Sequence, residues 1–345
     1  MTIDPDLVDL GKLAAWMDSQ GLGSGPVEND ELLGGGTQNI LLRFNRAGRE
    51  YVLRRPPPHL RANSNETMRR EARVLEAIRD SDVPHPRLIA ACPDEKVLGV
   101  AFYLMEPVNG FNPSTGLPEY HASDPAVRHR MGLSMVEAIA ALGDVDYEAV
   151  GLTGLGKPRG YLERQVPRWR AHLKTYDEFP SWPGPASIPG IEEVARWLDA
   201  TRPEEFEPGI IHGDFHLSNV MFNFDSPELA AIVDWELTTI GDPLLDLGWL
   251  MATWPDEADL ESGVVSVSPF DGFPTIDELV AHYAKFTFRD MSAIDWYGVL
   301  ACYKLGIILE GTHARACEGL APVETGDRLH ASTINLFNRA LRMIG

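Results

Sequence analysis

The chain has 345 residues, 44% of them hydrophobic and 23% charged, enough for two lobes with substantial cores. A formal net charge of −21 argues against general nucleic-acid binding and against docking on anionic membranes. The cysteines, Cys92, Cys302 and Cys317, are odd in number and widely spaced, which argues against a disulfide framework or a zinc site and fits a reducing cytoplasm.

The N-terminus is acidic and amphipathic, unlike a secretory signal, and no apolar run approaches membrane-spanning length. Leu7, Leu10, Leu13 and Ala14 give helical spacing from about Pro5 to Ser19, ended by Gly21, Gly23, Gly25 and Pro26. Short strands are expected at Glu31 to Leu33, Ile40 to Phe44 and Tyr51 to Arg54, with a hairpin turn at Arg46-Ala47-Gly48. Arg55 and the three prolines after it stop the third strand. A helix from Asn65 to Arg79 and strands at Leu88 to Cys92 and Val100 to Met105 complete a small α+β lobe. Pro107-Val108-Asn109-Gly110 marks the lobe boundary, giving 1–107 and 108–345.

Beyond it the pattern is helical: Ala126 to Leu142, Tyr161 to Leu173 and Ile191 to Leu198, with an irregular loop at Phe179 to Gly190. Strand signals return only at Gly209 to His212, Val220 to Phe222 and Leu229 to Val233. Helices then follow at Pro243 to Ala252, Thr275 to Phe286, Ala293 to Arg315 and Gly326 to Met343.

Charge is uneven along the chain. Between Ile40 and Arg73 stand nine Arg and three Glu, a local +6, which leaves −27 for the rest (−21 − 6 = −27). A basic island in an acidic protein suits a bound polyphosphate, and a solvated surface is the competing reading. Just before it lies Gly34-Gly35-Gly36-Thr37. Glycines there let backbone N–H groups approach phosphate oxygens, although a plain Gly-rich turn explains them too. Arg54, at a strand end, is placed to clamp phosphate oxygens, with Glu71 on the following helix as its partner. Glu106 and Val108 sit where backbone groups can meet a nucleotide base.

The most specific segment runs from Ile210 to Phe222. It sets Asp214 and Asn219 in a D-x-x-x-x-N frame between apolar runs, and Asp234 ends a further apolar run fifteen residues on. Phosphoryl transfer needs this set: one carboxylate to orient or deprotonate the acceptor hydroxyl, and a second carboxylate with an amide to hold Mg²⁺. Asp214 is therefore the candidate catalytic residue, and Asn219 and Asp234 the candidate metal ligands. His212 and His216 read as loop supports. Asp242, before Pro243, reads as a helix cap, and Asp246 on an apolar helix face needs a partner such as the catalytic-loop backbone.

His212-Gly213-Asp214 through Asn219, with Asp234 in Ile232-Val233-Asp234-Trp235-Glu236, resemble the aminoglycoside phosphotransferase/choline kinase-like family. That resemblance implies a protein-kinase-like α+β fold: a small N-terminal lobe of antiparallel sheet plus helix, and a large, mainly helical C-terminal lobe with an insert at about 111–208. It also implies ATP, Mg²⁺ and a small hydroxylated acceptor. Tyr51 to Pro57, Gly160 to Val166, Trp235 to Leu247 and Gly311-Thr312-His313-Ala314-Arg315-Ala316 resemble the phosphotransferase domain fused to some acyl-CoA dehydrogenases. In that group Arg is common at the usual Lys position, and the acceptor implied is a hydroxyacyl thioester or related metabolite.

Two rivals remain at this point. An aminoglycoside acceptor needs carboxylates in the insert pocket, for which Glu192, Glu193, Glu204, Glu205 and Glu207 are candidates. A nucleotide-binding regulatory protein without turnover would not need Asp214, Asn219 and Asp234 together. For an anionic acceptor, Arg164 and Arg168 are candidates, although a surface role suits each. Trp169, Trp182 and Trp197 read as packing residues.

Overall fold

The computed structural model describes residues 7–34, 39–60, 62–255 and 266–345. In chain order it begins with α1 (Leu10–Ser19), β1 (Glu28–Leu32), β2 (Ile40–Arg46), β3 (Arg49–Arg55), α2 (Ser64–Ala77), β4 (Leu88–Cys92) and β5 (Phe102–Met105). The strands form an antiparallel five-stranded sheet of order β1-β2-β3-β5-β4. Ala47 and Gly48 both take positive φ, the twist a tight β2–β3 hairpin requires.

Alternation along the strands gives the sheet two different faces. Leu42, Phe44, Tyr51, Leu53, Phe102 and Leu104 form one buried cluster with Leu13 and Met17 of α1. Trp16 adds an edge-on contact to Phe102, with ring centroids 4.8 Å apart. Tyr103, on the opposite face, packs in the larger core with Met68, Ala72 and Leu75 of α2. The helix α1 begins at Leu10, where the Asp9 side chain accepts from the Lys12 N–H; the expected start at Pro5 lies outside the described residues.

The remainder is mainly helical: α3 (Glu119–Ser123), α4 (Pro125–Gly143), α5 (Gln165–Lys174), α6 (Ile191–Ala200), then β6 (Gly209–Ile211), β7 (Val220–Phe222), β8 (Leu229–Ile232) and β9 (Thr239–Gly241). It closes with α7 (Leu244–Thr253), α8 (Ile276–Tyr283), α9 (Ile294–Cys317) and α10 (Val323–Ile344). The helix α5 starts four residues later than the expected Tyr161, because Gly160 takes positive φ and the chain turns through 161–164 before it coils. The strand β9 escapes a reading by composition, since it is only Thr239-Ile240-Gly241 and exists through pairing with β6.

The helix α9 runs through the core of this part, packing on α10, α7, α5 and α6. Arg339 of α10 is buried and donates from Nη1 to the Met251, Ala252 and Trp254 carbonyls at 2.9, 3.0 and 3.0 Å. It thus satisfies the open C-terminus of α7, where a cation is favoured. Among the described residues no helix is long and apolar enough to cross a membrane.

Candidate active site

Two short two-stranded sheets carry the polar loops. The pair β6–β9 presents His212 to Asn219, and β7–β8 presents Asp234. The Val233 N–H donates to the Asn219 carbonyl at 2.9 Å, so the loops are stitched to each other. His212 is fully buried, its Nε2 3.0 Å from the Val233 carbonyl and its ring edge-on to Trp235. Burial pushes its imidazole down to about 4, so it is a neutral strut at ordinary pH.

Asp246 does what its apolar surroundings demand. Its carboxylate accepts the His212 N–H at 2.6 Å and the Gly213 N–H at 2.8 Å. Burial pushes its carboxyl up to about 6, against the pull of those two amides. Gly213 has φ +88, and a Cβ there would stand 2.8 Å from the Leu237 carbonyl, so glycine is needed for the turn into Asp214. Asp242 accepts from the Leu244 N–H at 3.1 Å and from the Tyr297 hydroxyl, closing the entry to α7.

Asp214 is held on every side. Trp249 Nε1 donates to Oδ1 at 2.9 Å, and Asn219 Nδ2 donates to Oδ2 at 3.0 Å and to the backbone carbonyl at 2.9 Å. His216 takes the Ser218 N–H on Nδ1 at 3.2 Å, which leaves its Nε2 facing Oδ1 at 3.4 Å. Burial works against the Asp214 charge, but His216, His212 and Lys304 outweigh it and hold the carboxyl below its ordinary value. It is a carboxylate at neutral pH, and His216 touches it directly rather than only bracing the loop.

The second cluster joins the sheet to Asp234. Arg54 Nε lies 2.8 Å from Glu71 Oε2, and an Nη lies 2.7 Å from Asp234 Oδ1. Tyr103 donates to Glu71 at 2.8 Å. The expected Arg54–Glu71 bridge is present, and Asp234 is an additional partner. Burial alone would lower the guanidinium, yet Tyr103, Glu71 and Asp234 together raise it, so it stays charged. Asp234 sits at φ 67, a left-handed conformation rare for a non-glycine residue and often found where function fixes the backbone.

The other base-side candidates are placed less tightly. Glu106 gives its N–H to the Arg87 carbonyl at 2.9 Å and its side chain to Arg49 at 2.8 Å. Its carbonyl and the Val108 N–H are then the groups that can meet a base. Gly34 is exposed after β1, with open space around it. Gly35, Gly36 and Thr37 lie outside the described residues.

Beside Asp214 opens a cavity of about 470 Å³, lined by Arg70, Arg168, Trp169, Asp246, Trp249 and Lys304 among others. It continues past Tyr161 and Gln165 into a groove that adds Lys157 and Arg164. Lys304 was missed in the sequence. Its ammonium stands 4.0 Å above the Trp249 ring and 3.4 Å from the Gly213 carbonyl. Burial pushes it down to about 8, although Asp214 and Asp246 oppose the shift. The available signal was its isolation: from Trp296 to Leu309 it is the one charged residue. Trp249 was missed as well, and nothing in an apolar helical run distinguishes an indole that donates to a carboxylate.

Arg168 lines the cavity and is not merely a surface charge, whereas Arg164 donates to the Arg159 and Lys157 carbonyls. Trp169 also lines it, while Trp182 packs away and donates to Glu310. None of Glu192, Glu193, Glu204, Glu205 and Glu207 borders the cavity.

The pattern of the phosphotransferase enzyme family matches residues 31–296. The chain belongs to that family. A solved structure from Ralstonia eutropha JMP134, provisionally named an aminoglycoside phosphotransferase, shares 30% identity and a TM-score of 0.79, over 96% of this chain and 98% of that one. The aminoglycoside 2'-phosphotransferase-IIIa, solved with GDP, has 16% identity and a TM-score of 0.65 over 96% of this chain and 99% of that one, a likeness of fold. This phosphotransferase therefore has the protein-kinase-like, two-lobed α+β fold.

Acyl-CoA dehydrogenase family member 11 of Gallus gallus is 31% identical over 89% of this chain but only 39% of its own length. Family member 10 of Mus musculus is 27% identical over 85% of this chain and 27% of its own length. The chain thus spans well under half of these longer relatives.

Proposed function

We propose that this phosphotransferase moves the γ-phosphate of ATP to the hydroxyl of a small anionic molecule, with a hydroxyacyl thioester as the leading acceptor class. The observation that carries this reading is the cavity beside Asp214. Arg70, Arg168 and Lys304 reach it, against two carboxylates, Glu236 at its edge and Asp246, the latter occupied by two backbone N–H groups. A polycationic aminoglycoside would meet three like charges there against Glu236 and the amide-bound Asp246, while a carboxylate or phosphate would find more cations than anions. The resemblance to the acyl-CoA dehydrogenase fusion partners and the basic groove leading away from the cavity both suit an acyl group on a charged carrier.

Asp214 orients the acceptor hydroxyl and accepts its proton. Its charged state, held by burial-resistant contacts to Trp249, Asn219 and His216, suits that work. Arg54, fixed by Glu71, faces the triphosphate. Asn219 Nδ2 makes both bonds to Asp214, and among the described residues its side-chain oxygen accepts no hydrogen bond. With the partly exposed Asp234 carboxylate it offers hard oxygen donors that fit Mg²⁺, which when bound would neutralise the nucleotide phosphates. Glu106 and Val108 offer backbone groups to the base.

The test is ATP consumption against hydroxyacyl-CoA esters, free hydroxy acids, aminoglycosides and amino alcohols. Turnover is expected with the anionic hydroxyl compounds. Asp214→Ala is expected to lower kcat about 10³-fold with little change in the KM for ATP. Turnover confined to the cationic panel would reject the acceptor class. Undiminished turnover in the Asp214 variant would reject the catalytic assignment.

A further inference from the structure

The family-like run Gly311 to Ala316 has no part in the site above, yet its histidine faces a dense group of donor side chains. Along α9, Glu310, His313 and Cys317 fall at i, i+3 and i+7, on one face of the helix. Asp327 and His330 fall at i and i+3 on α10, which packs antiparallel beside it. Side chains on facing helices are a common way to build an inward-pointing metal site.

Glu310, His313 and His330 each offer an atom, all within 4.8 Å of one another. Glu310 is fully buried. Its Oε1 accepts the Trp182 indole N–H at 2.7 Å, and its Oε2 lies 2.7 Å from His330 Nδ1. The His313 and His330 rings stack with centroids 4.3 Å apart. His313 Nδ1 is buried without a hydrogen-bond partner, with Asp327 Oδ1 at 3.9 Å. Cys317 Sγ stands 3.7 Å from His313 Nε2.

A buried carboxylate hydrogen-bonded to Trp182 and His330 would satisfy Glu310 alone. It leaves unexplained the thiol beside His313 Nε2, and a metal on that nitrogen would turn the buried Nδ1–H toward Asp327, as metal-bound imidazoles commonly do. We infer that the α9–α10 hairpin holds a transition-metal site, of the Zn²⁺ class, built on Glu310, His313 and His330 with Cys317 as a further donor.

The distances suit such an ion. With metal–nitrogen bonds of about 2.1 Å and metal–sulfur bonds of about 2.3 Å, a tetrahedral N–S edge is about 3.6 Å. The observed Cys317–His313 separation is 3.7 Å. The Glu310–His330 contact would have to open from 2.7 Å to about 3.3 Å. Imidazole and thiolate donors favour zinc or cobalt over magnesium, which prefers oxygen and so belongs with Asn219 and Asp234. Imidazole and thiol donors bind in their deprotonated forms, so uptake would be coupled to proton release. Cysteine spacing gives no hint of this arrangement, because three of its donors are not cysteines and two helices supply them.

The experiment uses the full chain after chelator treatment. Zn²⁺ is titrated in competition with a chromophoric chelator near neutral pH, and Co²⁺ is followed by its visible absorption. One equivalent of Zn²⁺ is expected, with a dissociation constant of about micromolar or tighter. His313→Asn and His330→Asn are each expected to weaken it about 100-fold or more. Asp234→Asn, at the distant nucleotide site, should leave it unchanged. Cys317→Ser should remove the near-ultraviolet thiolate-to-Co²⁺ band, and persistence of that band would strike Cys317 from the donor set. Should the histidine variants fail to fold, the wild-type Co²⁺ spectrum decides. Intense tetrahedral bands support the site, and the weak bands of octahedral, oxygen-ligated cobalt overturn it. Absence of stoichiometric uptake, or uptake that both histidine variants keep, overturns it as well.

Discussion

The two sides of the catalytic cleft handle buried charge in opposite ways. On the side proposed for the nucleotide, Arg54 is sandwiched by Glu71 and Asp234 at 2.8 and 2.7 Å, a guanidinium that stays charged at any ordinary pH. On the side proposed for the acceptor, Lys304 has no carboxylate at that distance among the described residues; an indole face and a carbonyl hold it, and burial brings it down to about 8. Asp246 beside it is pushed up to about 6. A guanidinium keeps its charge whatever its partners, whereas a buried ammonium solvated by a carbonyl and a π-face titrates. Sensitivity to pH should therefore come from the acceptor side.

The contrast breaks most severely at Arg54. Arg54→Ala leaves Glu71 buried without its cation, and a loss of about 3–5 kcal/mol in denaturant-measured stability is expected, with turnover falling in step. Arg54→Lys keeps the charge but loses the fork. It should retain most of the stability and raise the KM for ATP about tenfold. Equal damage from both changes would show that charge alone is not what Glu71 requires.

Lys304→Met tests the other side. In the wild type, acceptor affinity for an anion should fall as pH rises through about 8, where the ammonium loses its proton, and activity should also fall below about 6 as Asp246 gains one. The Met variant should raise the acceptor KM about tenfold, lose the alkaline limb and keep the acid one. For stability the sign is reversed. The Lys304 pKa is depressed on folding, so the unfolded chain binds more protons between about 8 and the ordinary lysine value. Rising pH across that window should stabilise the wild type and not the variant. A variant that keeps the alkaline limb would assign that limb to another group.

Trp249→Phe removes one hydrogen bond to Asp214 and thins the surface beneath Lys304. A loss of about 1.5–3 kcal/mol in transition-state stabilisation corresponds to roughly 10–100-fold in kcat/KM. An unchanged rate would mean that Asn219 and His216 suffice to hold the carboxylate.

These two sides were not equally legible in the sequence. Asp214, Asn219 and Asp234 stand at fixed spacing beside apolar runs, so their strands and their convergence could be read from one stretch. The Arg54–Glu71 bridge followed from a strand end and a helix face. Asp246 could be paired with the loop backbone because a carboxylate on an apolar helix needs donors. Lys304 and Trp249 could not be found in that way. They come from helices distant in sequence, and their roles depend on which face of α9 and α7 turns toward the cavity. Arg168, exposed and at the cavity rim, could not be placed for the same reason: whether a cation on an amphipathic helix meets solvent or a pocket is decided by how that helix docks. The strand β9 is set by its pairing with β6, a tertiary fact absent from three residues.

One feature of α9 carries a cost for variation along the chain. The same straight helix sets Lys304 in the cavity and, six residues on, Glu310 against Trp182 and His330. Each residue advances a helix by about 100°. A single insertion or deletion between those two positions would turn one of them about 100° away from its partners, whichever end stayed seated. The interval should therefore accept exchanges of one apolar side chain for another while refusing any change in its length.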